Sequence, residues 1–248
     1  MMMEKIRFFG RRKGKAITGI RAEMLEKWLP DFIPKVPTRG KIKLSFGIQP
    51  KKSVLEVGFG GGEHLAELAK RQPDTGFLGA EVFLNGVASL LAHLNGSHRS
   101  GTGPLALESG RVDNIRIWPE DIRLLFEKLP DGCFDEIYVL YPDPWPKKRH
   151  AQRRFINDEN IPILWRLLSP KGKLYLATDV LPYAEWALER MNESKLFLQI
   201  QKDTSIPPKG WISTRYEQKG LAAGRQPNYM IFQKKDKKVK KCLTKTKK

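Results

Sequence analysis

Ser53-Val54-Leu55-Glu56-Val57-Gly58-Phe59-Gly60-Gly61-Gly62-Glu63-His64-Leu65-Ala66-Glu67-Leu68-Ala69-Lys70-Arg71 decides the fold. Ser53–Val57 is a short apolar run of strand length. Glu63–Arg71 sets Leu65, Leu68 and Ala69 at helical spacing. Between them lies a turn with glycine at Gly58, Gly60 and Gly62. Strand, glycine-rich turn and helix in that order open a Rossmann-type unit. The spacing is G-x-G-x-G, whereas a dinucleotide fingerprint needs its third glycine where this chain has Glu63. A turn bare of side chains lets backbone approach a ligand, and the helix start offers N–H groups to an anion. The plain alternative is a glycine turn that binds nothing.

Working outward, the alternation continues. Gly76–Val82 is predicted as a second strand carrying Glu81, followed by a helix over Leu84–Leu94 with Val87, Leu90, Leu91 and Leu94 on one side. Ser97–Val112, rich in Gly and Ser, is expected to be a surface loop. Ile115–Trp118 is a third strand, with Glu120 and Asp121 opening a helix that runs through Leu129. Ile137–Tyr141 is a fourth strand, Asn157–Leu168 a helix with Pro162 in its first turn, Gly172–Ala177 a fifth strand, and Tyr183–Met191 a helix. Leu196–Ile200, Trp211–Tyr216 and Tyr229–Phe232 are read as closing antiparallel strands. The expectation is an α/β fold: a doubly wound, mostly parallel sheet with an antiparallel edge. Upstream, Ala22–Leu29 is a short helix ended by Pro30. The chain divides into a basic arm and short helix (1–40), the α/β domain (41–233) and a lysine-rich tail (234–248).

The charge names a class of partner. Across 248 residues, 45 Lys and Arg against 27 Asp and Glu give +18, which points to a polyanion. The tail holds nine Lys and one Asp, the arm Met1–Lys15 a net +5, and 147–154 five cations, so basicity is spread along the chain. Cys133 and Cys242 have no metal-ligand spacing, and two cysteines build no disulfide framework, which suits a reducing cytoplasm. His64, His93, His98 and His150 show no ligand spacing, so no metal is expected. No apolar run reaches the ~18 residues of a membrane span, and no signal core opens the chain.

The sharpest local feature is Tyr141-Pro142-Asp143-Pro144-Trp145. Pro142, Pro144 and the following Pro146 stop the fourth strand and stiffen a loop at its carboxyl end, where open α/β sheets place their chemistry. Methyltransferases acting on planar nitrogens often carry an acid or amide, a proline and an aromatic there. Methyl transfer from a sulfonium needs an aligned lone pair, so positioning supplies much of the rate. Asp143 can hold a base edge and stabilise positive charge on the ring, and Trp145 offers a stacking face. The competing reading is a plain strand terminator with Trp145 in the core. Lys147, Lys148, Arg149, Arg153 and Arg154 beside it suit phosphates, or form a solvated face. For S-adenosylmethionine, which has no phosphate, the anion at the glycine turn is the amino acid's carboxylate. Glu81 can accept both ribose hydroxyls or be a plain surface glutamate at a strand end, and Asp121 can accept from an adenine amino group or simply favour a helix's first turn, with Glu120 able to exchange roles with it. Asp179 is weighed equally as a helix cap and as a substrate contact.

Leu55–Gly62, Gly79-Ala80-Glu81-Val82, Pro142–His150 and Thr214-Arg215-Tyr216-Glu217 together resemble the bacterial tRNA (guanine-N7-)-methyltransferase family, in order and over about Phe8–Phe232. The resemblance implies a class I fold, S-adenosyl-L-methionine as donor, and N7 of guanine 46 in the tRNA variable loop as acceptor. It implies cofactor contacts from Glu56, Glu81, Asp121 and Asp143, the last being catalytic. It implies substrate contacts from Lys147, Asp179, Thr214, Arg215, Tyr216 and Glu217, with Arg149, His150, Arg153 and Arg154 along the RNA. Rival readings are transfer to another RNA base atom, such as an exocyclic amine, and an RNA-binding protein that keeps the fold without catalysis. A nicotinamide-dependent oxidoreductase is disfavoured by the glycine spacing. A monomer or homodimer is expected, with no membrane partner.

Overall fold

The computed structural model describes residue 12, residues 14–95 and residues 113–236. Among the described residues, seven strands form one sheet: β1 (Lys52–Val57), β2 (Thr75–Ala80), β3 (Ile115–Trp118), β4 (Phe134–Leu140), β5 (Leu168–Thr178), β6 (Phe197–Gln199) and β7 (Asn228–Lys234). Their spatial order is β3-β2-β1-β4-β5-β7-β6. β1 to β5 pair in parallel, and β7 joins antiparallel to both β5 and β6. The chain therefore winds outward from β1 to β3, crosses back to β4 and winds the other way. The reversal falls between β1 and β4.

Register decides what meets at that point. Val57 pairs with Ala80 on one side and with Val139 on the other, and Leu140 pairs with Ala177. The carboxyl ends of β1, β2 and β4 are level, so the residues that follow each strand emerge on one edge. That edge, at a reversal of winding, is where open parallel sheets bind ligands.

The described residues also form seven α-helices: α1 (Ile20–Lys27), α2 (Leu29–Phe32), α3 (Glu63–Arg71), α4 (Leu84–Leu94), α5 (Asn160–Leu167), α6 (Leu181–Ser194) and α7 (Arg215–Ala222). Successive strand residues face opposite ways, so Val54 packs with α3 and α4 while Leu55 packs with α5 and α6. α3 and α4 match the expected spans. α4 is buried well beyond its apolar stripe, because α1 covers its other side. Met24 and Phe32 of the expected arm thus lie in the core.

Three expectations change. Pro30 does not end the first helical segment; it sits in the opening turn of α2, where its missing N–H is harmless. No α-helix follows β3: Ile122–Leu125 tightens into a 3-10 turn after the Asp121 carboxylate accepts from the Arg123 N–H. Trp211–Tyr216 is not a strand, since Thr214 caps α7 there. The 97–112 loop, residues 1–11 of the arm and the tail beyond Asp236 lie outside the described residues.

Candidate active site

A cavity of ≈ 410 Å³ opens on the level edge and is lined by Gly58, Gly60, Glu81, Glu120, Asp121, Asp143, Trp145 and Tyr216, among others. The glycine turn and the proline-bound acid, 83 residues apart from Gly60 to Asp143, thus share one space. Gly58, Gly60 and Gly62 all take positive φ, which explains the G-x-G-x-G spacing. At Gly60 there is a second constraint: a β-carbon would lie 2.9 Å from the Tyr216 ring.

Glu81 follows β2 and clamps the turn. Its carboxylate accepts from the N–H of Gly60 and of Phe83, each at 2.8 Å. Burial pushes the Glu81 carboxyl above the ordinary range, against the pull of those backbone donors and with a push from Asp143. Asp121 and Glu120 both reach the cavity. Asp121 is held by Arg123, with 2.6 Å between Oδ2 and the guanidinium. Glu120 pairs with Arg12 of the arm, a contact across more than a hundred residues that local pattern does not announce. Glu56 and Gly62 are not among the lining residues. Glu56 lies in the interior with His64 Nδ1 at 2.8 Å from its carboxylate, and Gly62 begins α3.

The loop after β4 is exposed at Asp143 and half-buried at Trp145. Tyr141 (φ 50°) and Trp145 (φ 41°) both occupy the left-handed region. Each such residue costs on the order of 1–3 kcal/mol, a strain that collects at functional sites. Each also precedes a proline, whose ring denies it the right-handed helical region. The Arg153 guanidinium lies 5.1 Å from the centre of the Trp145 ring, and His150 meets that ring edge-on at 5.8 Å. Lys147, Lys148 and Arg149 are exposed. Arg154, expected along the RNA, is turned inward and only 8% exposed.

Asp179 caps no helix; Val180 precedes α6, and Asp179 Oδ2 instead accepts from Arg225 Nε at 2.7 Å. Thr214 Oγ1 accepts from the Glu217 N–H at 3.1 Å, which closes the first turn of α7. The signal was present in the sequence, since T-x-x-E is a capping pattern. The Glu217 carboxylate does not complete that pattern. It is 4% exposed and accepts from Trp211 Nε1 and the Tyr229 hydroxyl at 2.8 and 2.9 Å. It therefore anchors the helix that brings Tyr216 over Gly60, while Arg215 stays exposed. Replacing Glu217 by Ala strands the buried Tyr229 hydroxyl and the half-buried Trp211 N–H and should cost about 1–3 kcal/mol in urea unfolding. A loss under ~0.5 kcal/mol would contradict the anchoring role.

Among the described residues, no group of three His, Cys, Asp or Glu could hold a metal ion, and no helix is long and apolar enough to cross a membrane.

A family model described as "Putative methyltransferase" matches residues 50–230. The chain is 42% identical over 237 residues to the tRNA (guanine-N(7)-)-methyltransferase of Paramagnetospirillum magneticum, covering 94% of each chain. It is 40% identical over 240 residues to the protein of the same description from Rhodospirillum rubrum, covering 94% of this chain and 89% of that one. In fold alone it is similar to the crystal structure of the 16S rRNA methyltransferase KamB, with a TM-score of 0.51 at 14% identity, covering 81% of this chain and 97% of the other.

Proposed function

The chain belongs to the tRNA (guanine-N(7)-)-methyltransferase family, and on that premise we propose that it methylates N7 of a guanine in tRNA, at position 46 of the variable loop. The observation that carries this reading is the cavity shared by the glycine turn and Asp143.

The residues present fit S-adenosylmethionine. That molecule carries a sulfonium and an ammonium against one carboxylate, so it is a net cation. The cavity offers it the acids Glu81, Glu120, Asp121 and Asp143, one of its arginines, Arg123, being paired with Asp121. A dinucleotide would bring two negative phosphates to the same acids, which favours the sulfonium cofactor over a nicotinamide one. When bound, S-adenosylmethionine supplies an electrophilic methyl group.

The chain's own residues do the rest. The turn at Gly58 and Gly60 would admit the amino-acid end of the cofactor, Glu81 would accept from its ribose hydroxyls, and Asp121 or Glu120 would accept from its adenine. Guanine N7 has a free lone pair at neutral pH, so no base need remove a proton before attack. Asp143 then holds the guanine edge and stabilises the positive charge that grows on its ring, with Trp145 as a flat wall. Excluding water strengthens that interaction. Lys147, Lys148 and Arg149 hold phosphates, assisted by the arm and the lysine tail. Asp179, Thr214, Arg215 and Tyr216 form the substrate-side rim, and Glu217 supports it from below. A tRNA substrate sets the reaction in the cytoplasm, in keeping with a free Cys133.

The test is incubation with labelled S-adenosylmethionine and an unmodified tRNA transcript, followed by nucleoside mass spectrometry. The expected product is 7-methylguanosine. A methylated exocyclic amine would replace the acceptor, and cofactor binding with no product on any tRNA would favour a non-catalytic RNA-binding role.

Salt separates the phosphate contacts from the chemistry. Replacing Lys147, Lys148 and Arg149 together should lower the slope of log affinity against log salt by about 2–3, at roughly 0.9 per phosphate. An unchanged slope would remove these residues from the RNA interface.

A further inference from the structure

Arg154 stands in a run of cations that invites assignment to RNA, yet it is 8% exposed. Its Nε donates to the Pro144 carbonyl at 2.9 Å, and its terminal nitrogen to the Trp145 carbonyl at 3.2 Å. Its guanidinium lies 4.8 Å from the Trp186 ring centre and 5.9 Å from that of Tyr183. The backbone of Arg154 is pinned as well, its carbonyl accepting from Asn157 Nδ2 at 2.9 Å.

The two carbonyls it grips follow Asp143 directly and belong to a loop with positive φ at Tyr141 and Trp145. A strained loop persists only where its surroundings hold it. One planar fork bonded to two successive carbonyls is a rigid way to do so, and the aromatic rings of α6 fix the fork itself. Arg154 also lines the same cavity as Asp143.

We infer that Arg154 is a positioning residue for methyl transfer: it clamps the Pro144 and Trp145 carbonyls so that Asp143 is aimed into the cavity, and it does not contact the RNA. The inference rests on the reading of Asp143 as the catalytic acid. Truncating the fork releases the loop while leaving Asp143 chemically intact.

The experiment compares Arg154→Met and Arg154→Lys with the wild type. For the Met variant, the single-turnover rate at saturating tRNA and S-adenosylmethionine, normalised to folded protein, should fall roughly 10- to 100-fold, the scale of an ångström-sized misplacement. Its tRNA dissociation constant should stay within about twofold and its salt slope should not change. Hydrogen exchange over 141–150 should quicken. Lys, which keeps charge and length but not the fork, should fall between. Arg149→Met should instead lower the salt slope by about 0.9.

An Arg154→Met protein with wild-type rate and wild-type loop exchange would overturn the inference, as would one whose salt slope drops like that of Arg149→Met. If the Met variant does not fold, the Lys variant decides by the same readouts. A wild-type protein inactive on tRNA would count against the proposed function, and the loop exchange would still decide the clamp.

Discussion

Asp143→Ala should lower the single-turnover rate of methyl transfer by about 10²–10³-fold, the scale seen when one preorganised electrostatic partner of a transition state is removed. Guanine is neutral before attack and carries a positive charge after N7 is alkylated. A carboxylate fixed at the mouth of the cavity therefore interacts more strongly with the transition state than with the ground state, and only that difference speeds the step. Asp143 is exposed, so removing its side chain leaves the core packed and melting should be almost unmoved. Asp143→Asn keeps the shape and loses the charge, and its rate should lie between. Comparing saturated single-turnover rates keeps cofactor binding out of the result. Retention of activity within about threefold would remove Asp143 from the chemistry.

The second large effect comes from a methyl group that no contact map would flag as catalytic. Gly86 sits in the first turn of α4, and a β-carbon there would lie 2.1 Å from the Gly60 carbonyl oxygen and 3.3 Å from Glu81 Cγ. Carbon and oxygen settle at roughly 3.3 Å or more, so the glycine turn must retreat by about 1 Å. Helix propensity argues the other way, since Ala improves on Gly by up to ~1 kcal/mol inside a helix. Overpacking against backbone costs about 1–3 kcal/mol and wins. Because Gly60 and Glu81 are joined by a hydrogen bond, both halves of the expected cofactor cradle shift together. Gly86→Ala should weaken S-adenosylhomocysteine binding on the order of 10²-fold by calorimetry, with stability lowered in urea. A more stable variant with ordinary binding would show that the turn yields freely.

Legibility in the sequence followed the range of the forces involved. The β1–turn–α3 unit and the limits of α4 were readable because apolar period and glycine placement are local. The shared cavity was readable too, since parallel strands in register bring their carboxyl ends to one edge whatever lies between them. What local pattern could not show was decided at a distance. Trp211–Tyr216 is rich in strand formers, yet Trp211 and Tyr229 converge on Glu217 and fix the segment as a helix entry. Glu56 carries the same charge as Glu81, but its side chain faces His64 in the interior. Arg154 is indistinguishable in sequence from Arg149. The aromatic faces of Tyr183 and Trp186, about thirty residues on, and the carbonyls of Pro144 and Trp145 turn it inward.

One space should serve both the methyl donor and the guanine, and a crystal structure with S-adenosylhomocysteine tests that most directly. The ribose hydroxyls should lie on the Glu81 carboxylate, the amino-acid end at Gly58 and Gly60, and the sulfur should face the Asp143 loop. Density for the ligand outside this cavity, or a sulfur walled off from Asp143, would contradict it.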